Sequence, residues 1–176
     1  MIEQHIFQLK DGRILLLRPV LKEDWLPMQD YLGQMAQENI FTNQYPGKPR
    51  ASREQFEHAV ENMSWMMTAW DQDKLVGAIS AHHQDKHIWY NKMCRFGVHL
   101  LQAYAHQGLG THFLDLLEVW AREHQLHRIE GDVRACNLNA LSLYLKKGFI
   151  IEGCHRENVC INGQFYDEYL IGKLLD

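Results

Sequence analysis

Apolar and polar positions alternate along this chain in two rhythms, and each rhythm predicts a kind of element. After the turn DGR, the run Ile14 to Leu17 predicts a short strand that stops at Pro19. LKEDWLPMQDYLGQMAQE sets Leu21, Trp25, Met28, Tyr31, Leu32 and Met35 at helical spacing, with acids in its first turn. NIFTNQYPGKPRAS is a turn-rich connection. Ser52 with Gln55 then forms a capping box that opens a second helix, SREQFEHAVENM. WMMTAW, the turn DQDK and LVGAISAHH predict a β-hairpin, and CRFGVHLL a further strand. Beyond Gly108 and Gly110, the residues Phe113, Leu114, Leu117, Trp120 and Ala121 make one apolar stripe over three turns of helix. HRIEGDVRA alternates as a strand does, and NLNALSLYLKKG is a short helix with an asparagine at its start and Gly148 at its end. FIIEGCHRENVCI and QFYDEYLIGKLL close the chain as a hairpin around Asn162-Gly163. The order β-α-α-β-β-β-α-β-α-β-β predicts one mixed α/β (α+β) domain over residues 1–176, with no repeats and no linker.

Composition narrows the function. The 176 residues are 46% hydrophobic and 23% charged, ordinary for a globular protein with a sizeable core. The formal net charge is -4 and no Lys/Arg block appears, so no nucleic-acid partner is expected. MIEQHIFQLKDGR lacks the apolar core of a signal peptide, and no apolar run approaches the length of a membrane span. These features predict a soluble cytoplasmic protein with no membrane partner. Cys94, Cys136, Cys154 and Cys160 show no C-x-x-C spacing and read as reduced structural thiols. His82, His83 and His87 cluster in SAHHQDKHIW, but adjacent strand residues point to opposite faces, so no metal site is expected there.

Gly108 and Gly110 raise the functional question. Glycine at a helix entrance answers a need for positive φ, or for close approach of an outside group to the backbone. Strand, glycine loop and helix together make a geometry for holding an anion, because the first helical turn carries unpaired N–H groups and a partial positive charge. The P-loop pattern fails, since no lysine follows. The dinucleotide fingerprint fails as well, since Phe113 stands where its third glycine belongs. By spacing alone, an ordinary tight turn stays open beside an anion site.

H-Q-G-L-G-T followed by N-x-x-A-x-x-L-Y-x-x-x-G-F resembles the GNAT superfamily of acyl-CoA-dependent N-acyltransferases. The opening strand ending in RP and the closing YDEYLIGKLL fit the same resemblance, and the long first helix with the E-G-C-H-R…N-G-Q-F-Y-D-E-Y ending resembles its ribosomal-protein and small-amine branch. It implies a mostly antiparallel, twisted sheet of about seven strands, splayed in the middle and flanked by about four helices. It also implies acetyl-CoA as co-substrate and a primary amine as acceptor, either a small molecule or a protein N-terminus. By the same resemblance His106, Gln107, Gly108, Leu109, Gly110 and Thr111 grip the coenzyme A pyrophosphate, while Leu100, Leu101, Asn137 and Asn139 lie along the pantetheine. Tyr144 falls where relatives keep a tyrosine acid; a core tyrosine is the competing reading. The general base stays open between His99, Glu38, His82, His83 and a water chain. The loop FTNQYPGKPR with Trp89 and Tyr90 is expected to wall the acceptor pocket, and Glu38, Asp85, Asp167 and Glu168 are candidates to draw in a cation. A homodimer is left open by the resemblance. The sequence departs from the family loop at Ala105, where arginine or glutamine is usual, and Gln107 or His106 is the candidate replacement. That departure keeps a second reading open, a non-catalytic acyl-CoA-binding regulatory module of the same fold.

Overall fold

Met28, Tyr31 and Met35 of the first helical stripe are buried as their spacing predicts, while Leu21 is exposed and lies before the helix, which begins at Trp25. The computed structural model describes residues 4–38, 41–48, 50–83, 89 and 91–175, so the expectations at Asp85, His87 and Tyr90 lie outside the described residues. Along the chain run β1 (His5–Gln8), β2 (Ile14–Pro19), α1 (Trp25–Glu38), α2 (Arg53–Asn62), β3 (Trp65–Asp71), β4 (Lys74–His83) and β5 (Met93–Leu100). α3 (Leu109–Glu123), β6 (Arg128–Arg134), α4 (Leu138–Lys146), β7 (Ile150–Ile161) and β8 (Gln164–Leu174) complete it. The architecture is mixed α/β, with four α-helices as expected and eight strands among the described residues rather than about seven. The additional strand is β1. Its four residues, HIFQ, are too short to carry a period, yet each pairs antiparallel with β2, from His5 opposite Leu17 to Gln8 opposite Ile14.

The chain falls into two compact units, Met1–His82 with Gly97–Leu116, and His83–Phe96 with Leu117–Asp176. In the first, β1, β2, β3 and β4 pair antiparallel in chain order. Leu15 and Leu17 of β2 are completely buried while Ile14 and Leu16 face outward, which is the alternation a half-covered strand requires. Arg18 ends that strand with a bidentate ion pair to Asp24, 2.7 Å on each arm, and Asp24 also accepts the Leu21 N–H at 2.8 Å. The Arg18 guanidinium lies over the Trp70 ring at 4.3 Å, so β2, β3 and the entrance to α1 are fastened at one point. The Ser52–Gln55 capping box forms in both directions at the start of α2.

In the second unit β5 pairs parallel with β6, and β6 pairs antiparallel with β8 and β8 with β7. Gly131 on β6 gives room to the Phe96 ring, which would lie 2.8 Å from a Cβ there. Phe96 in turn packs edge-on against Tyr144 of α4. The β7–β8 hairpin turns at Asn162-Gly163, both at positive φ, as the sequence predicts. No helix among the described residues is long and apolar enough to cross a membrane.

Candidate functional site

The glycine loop is built at the end of β5, inside the first unit. The α3 helix begins at Leu109, so Gly108 is the last residue before the helix and Gly110 already lies in its first turn. Gly108 takes φ +93, a conformation that side chains rarely adopt. A Cβ there would meet Phe7 at 3.7 Å and Lys10 at 3.9 Å, both ordinary contacts, so the backbone angle demands glycine and crowding does not. His106 also has positive φ, at 61°. From His106 to Thr111 no backbone N–H finds an acceptor among the described residues; the first to do so is His112, which donates to Gly108. A run of unclaimed donors at the positive end of a 15-residue helix is what an anionic group would need. The diphosphate implied by the resemblance fits that donor set.

Three side chains from three elements hold the approach to this loop. Glu38, at the end of α1, accepts the Gln102 N–H at 2.8 Å and the Gln34 side-chain amide at 2.6 Å. Tyr104 donates its hydroxyl to Asp71 of β3 at 2.7 Å. Arg13, after the β1–β2 turn, donates to the Ala103 carbonyl at 2.9 Å and stacks on the Tyr104 ring. Glu38 therefore anchors the loop instead of standing free as a base. Gln107, a candidate to touch phosphate, accepts the Asp11 N–H through its side-chain oxygen at 3.1 Å, while its main-chain carbonyl accepts from Lys10. Leu109 puts its side chain into the core with no exposure, so only its amide is on offer.

The end of β5 is partly closed. Leu101 donates its N–H to Val76 of β4 at 2.9 Å, which takes that amide away from the pantetheine role implied for it. The Leu100 side chain fills the space beside Gly77, together with Leu109 and Phe113 of α3. Successive strand residues alternate, so His99 faces away from α3. Its carbonyl accepts the Tyr31 hydroxyl at 2.8 Å. Burial pushes the Tyr31 phenol well above its ordinary range, and the nearby Glu38 charge adds to the shift.

The second unit holds the other expected residues. Asn137 caps α4, its side-chain oxygen accepting the Ala140 N–H at 3.2 Å, and Asn139 is exposed two residues on, in the first turn. Tyr144 is 6% exposed, and burial alone pushes its phenol up to about 12. No hydrogen bond reaches its hydroxyl among the described residues. Asp167 accepts the Glu157 N–H and Glu168 accepts from the Asn158 side chain, each through one carboxylate oxygen. His82 is exposed, and His83 bonds the Asn91 carbonyl at 2.9 Å.

The loop expected to wall an acceptor pocket does border a cavity of about 490 Å³ against α1, with Leu32, Gly33, Gln37, Tyr45, Lys48 and Arg50 in its lining. Its charged lining residues are cations. Local sequence rules missed the β1–β2 turn at the glycine loop, because no period or motif ties residue 11 to a partner 96 positions away.

The model of the acetyltransferase (GNAT) family matches residues 32–149. The chain belongs to that family. Among curated proteins, this GNAT chain is 27% identical over 112 residues to the ribosomal-protein-serine acetyltransferase of Escherichia coli (strain K12), covering 63% of this chain and 61% of that protein. It is 32% identical over 123 residues to a protein described as the probable N-acetyltransferase YjcK of Bacillus subtilis (strain 168), covering 69% of this chain and 66% of that one. Each match thus spans less than two thirds of the relative's own length. The crystal structure of a GNAT-family acetyltransferase from Streptococcus pneumoniae superposes with a TM-score of 0.84 at 26% identity, covering 92% of this chain and 99% of that one.

Proposed function

We propose that this GNAT chain transfers an acetyl group from acetyl-CoA directly to a primary amine in the cytoplasm. The observation that carries the reading is the unclaimed run of amides from His106 to Thr111, lying in a chain of this family. Those amides hold the diphosphate, and Gly108 at φ +93 turns them to one side. Bound acetyl-CoA supplies the activated acyl thioester; the protein's task is positioning and proton handling.

Tyr144 is the proposed acid for the departing thiolate. Its phenol, pushed up to about 12 by burial, stays protonated throughout the neutral and moderately alkaline range, and no protein group occupies its hydroxyl among the described residues. His99 is the proposed base, on the sheet face away from α3, with its backbone held by Tyr31. Asn137, tied to its capping bond, contributes by ending β6 and starting α4 in a fixed place, and any pantetheine contact of its own is made by atoms that cap leaves free.

The acceptor is a small amine or a protein N-terminus. The relative from Escherichia coli, a ribosomal-protein-serine acetyltransferase, favours a protein terminus. The deciding test is thiol release from acetyl-CoA with the purified chain and a panel of small amines and N-terminal peptides, run beside calorimetric binding of coenzyme A. Turnover with at least one amine supports the proposal. Tight coenzyme A binding with no turnover on any amine would convert it to the non-catalytic acyl-CoA-binding module.

A further inference from the structure

The arginine or glutamine that relatives place five residues before the second glycine is Ala105 here, and of the two obvious substitutes the structure takes one away. Gln107 is committed on two sides to the β1–β2 turn. His106 is exposed, with no hydrogen bond among the described residues. The same turn carries two cations into the neighbourhood. Arg13 is bound to Asp11 through two guanidinium nitrogens, at 2.9 and 2.7 Å, and to the Ala103 carbonyl. Lys10 is different. Its backbone N–H donates to Gln107 at 3.3 Å, and its side chain runs beside Gly108, with Cε 3.9 Å from the position a Cβ would take. The side chain is exposed and has no carboxylate partner among the described residues.

We propose that Lys10 supplies, from the β1–β2 turn, the cationic contact to the coenzyme A diphosphate that Ala105 cannot make. The inference rests on the acetyl-CoA reading above. A loop that presents only main-chain amides has hydrogen bonds but no full charge of its own; one ammonium beside the diphosphate adds a charge-assisted contact. The turn's two backbone links to Gln107 fix where that ammonium hangs.

The test uses the full chain and isothermal titration of coenzyme A at low and high salt. Lys10→Ala should weaken binding about five- to twentyfold at low salt, with a smaller deficit at high salt. Lys10→Arg should keep most of the affinity. The second arm restores the family residue: Ala105 sits at φ -68 and ψ 155, which arginine adopts without strain, so Ala105→Arg should recover the affinity that Lys10→Ala loses. Dephospho-coenzyme A, which keeps the diphosphate, should show the same Lys10→Ala deficit as coenzyme A. A deficit that vanishes with that probe moves the contact to the 3′-phosphate and overturns the assignment. Equal binding by wild type and Lys10→Ala overturns the role of Lys10 while leaving the acetyl-CoA reading intact. Failure of the wild type to bind coenzyme A at all overturns that reading instead.

Discussion

Replacing Gly108 with alanine separates what the glycine does for the fold from what it does for the ligand. Its φ of +93 lies where a Cβ is strained, and holding alanine there costs about 1–3 kcal/mol. Space is not the obstacle, because the new methyl would meet Phe7 and Lys10 at 3.7 and 3.9 Å. A central figure of about 2 kcal/mol corresponds to a fall of roughly 4–8 °C in Tm for a chain of this size. The strain is relieved if the loop relaxes toward negative φ. That relaxation swings the amides that precede α3, so coenzyme A binding should weaken by about tenfold or more. Gly163→Ala is the control. Gly163 has φ +80 with nothing within 4 Å, so alanine there carries the same kind of strain in a hairpin turn remote in sequence from the loop. Differential scanning calorimetry should find similar losses in the two variants, and titration calorimetry should find weakened coenzyme A binding in Gly108→Ala alone. If Gly108→Ala binds coenzyme A as tightly as Gly163→Ala, the loop does not cradle the diphosphate and the cofactor assignment falls.

Three further outcomes are expected. Tyr144→Phe should lower turnover tenfold or more with little change in acetyl-CoA affinity, and unchanged turnover would retire the acid role; because the phenol is pushed up to about 12, the wild-type pH profile should show no alkaline loss from this group below about pH 11. Asp24→Ala leaves the largely buried Arg18 guanidinium without its bidentate partner and the Leu21 N–H without an acceptor, so chemical denaturation should show a loss of about 3 kcal/mol; a loss below about 1 kcal/mol would mean the pair is replaceable by water. His112, stacked on Phe7 and bonded to His5, has its imidazole lowered below the ordinary 6.5 by burial first and by His5 second. The unfolded chain therefore takes up this proton before the native chain does, and stability should fall as pH drops from about 6.5 through the lowered native value. His112→Leu should flatten that part of the stability profile, and an unchanged slope would assign it to other groups.

The features legible in the sequence are those written within one or two turns of chain. The Ser52–Gln55 capping box, the positive-φ turn at Asn162-Gly163 and the apolar stripe of α3 each follow from local rules, and each is present. What is not legible is set by something distant in sequence. Gln107 looks like a phosphate ligand on its own loop, but a strand turn 96 residues earlier takes its side chain. Glu38 looks like a free base at a helix end until the Gln102 amide is seen against it. Leu101 looks like open backbone until Val76 closes it. In each case a polar group that reads as free in the sequence has a protein partner in the fold, so local reading overstates how many groups are free. The correction also works in reverse. A motif position without its charge reads as a weakened site, yet the charge at a site is a sum over everything the fold brings there, and Lys10 enters that sum from a strand turn no loop motif includes. Ala105 is therefore poor evidence for lost activity, and the number that decides the matter is the coenzyme A affinity of the Lys10→Ala, Ala105→Arg pair.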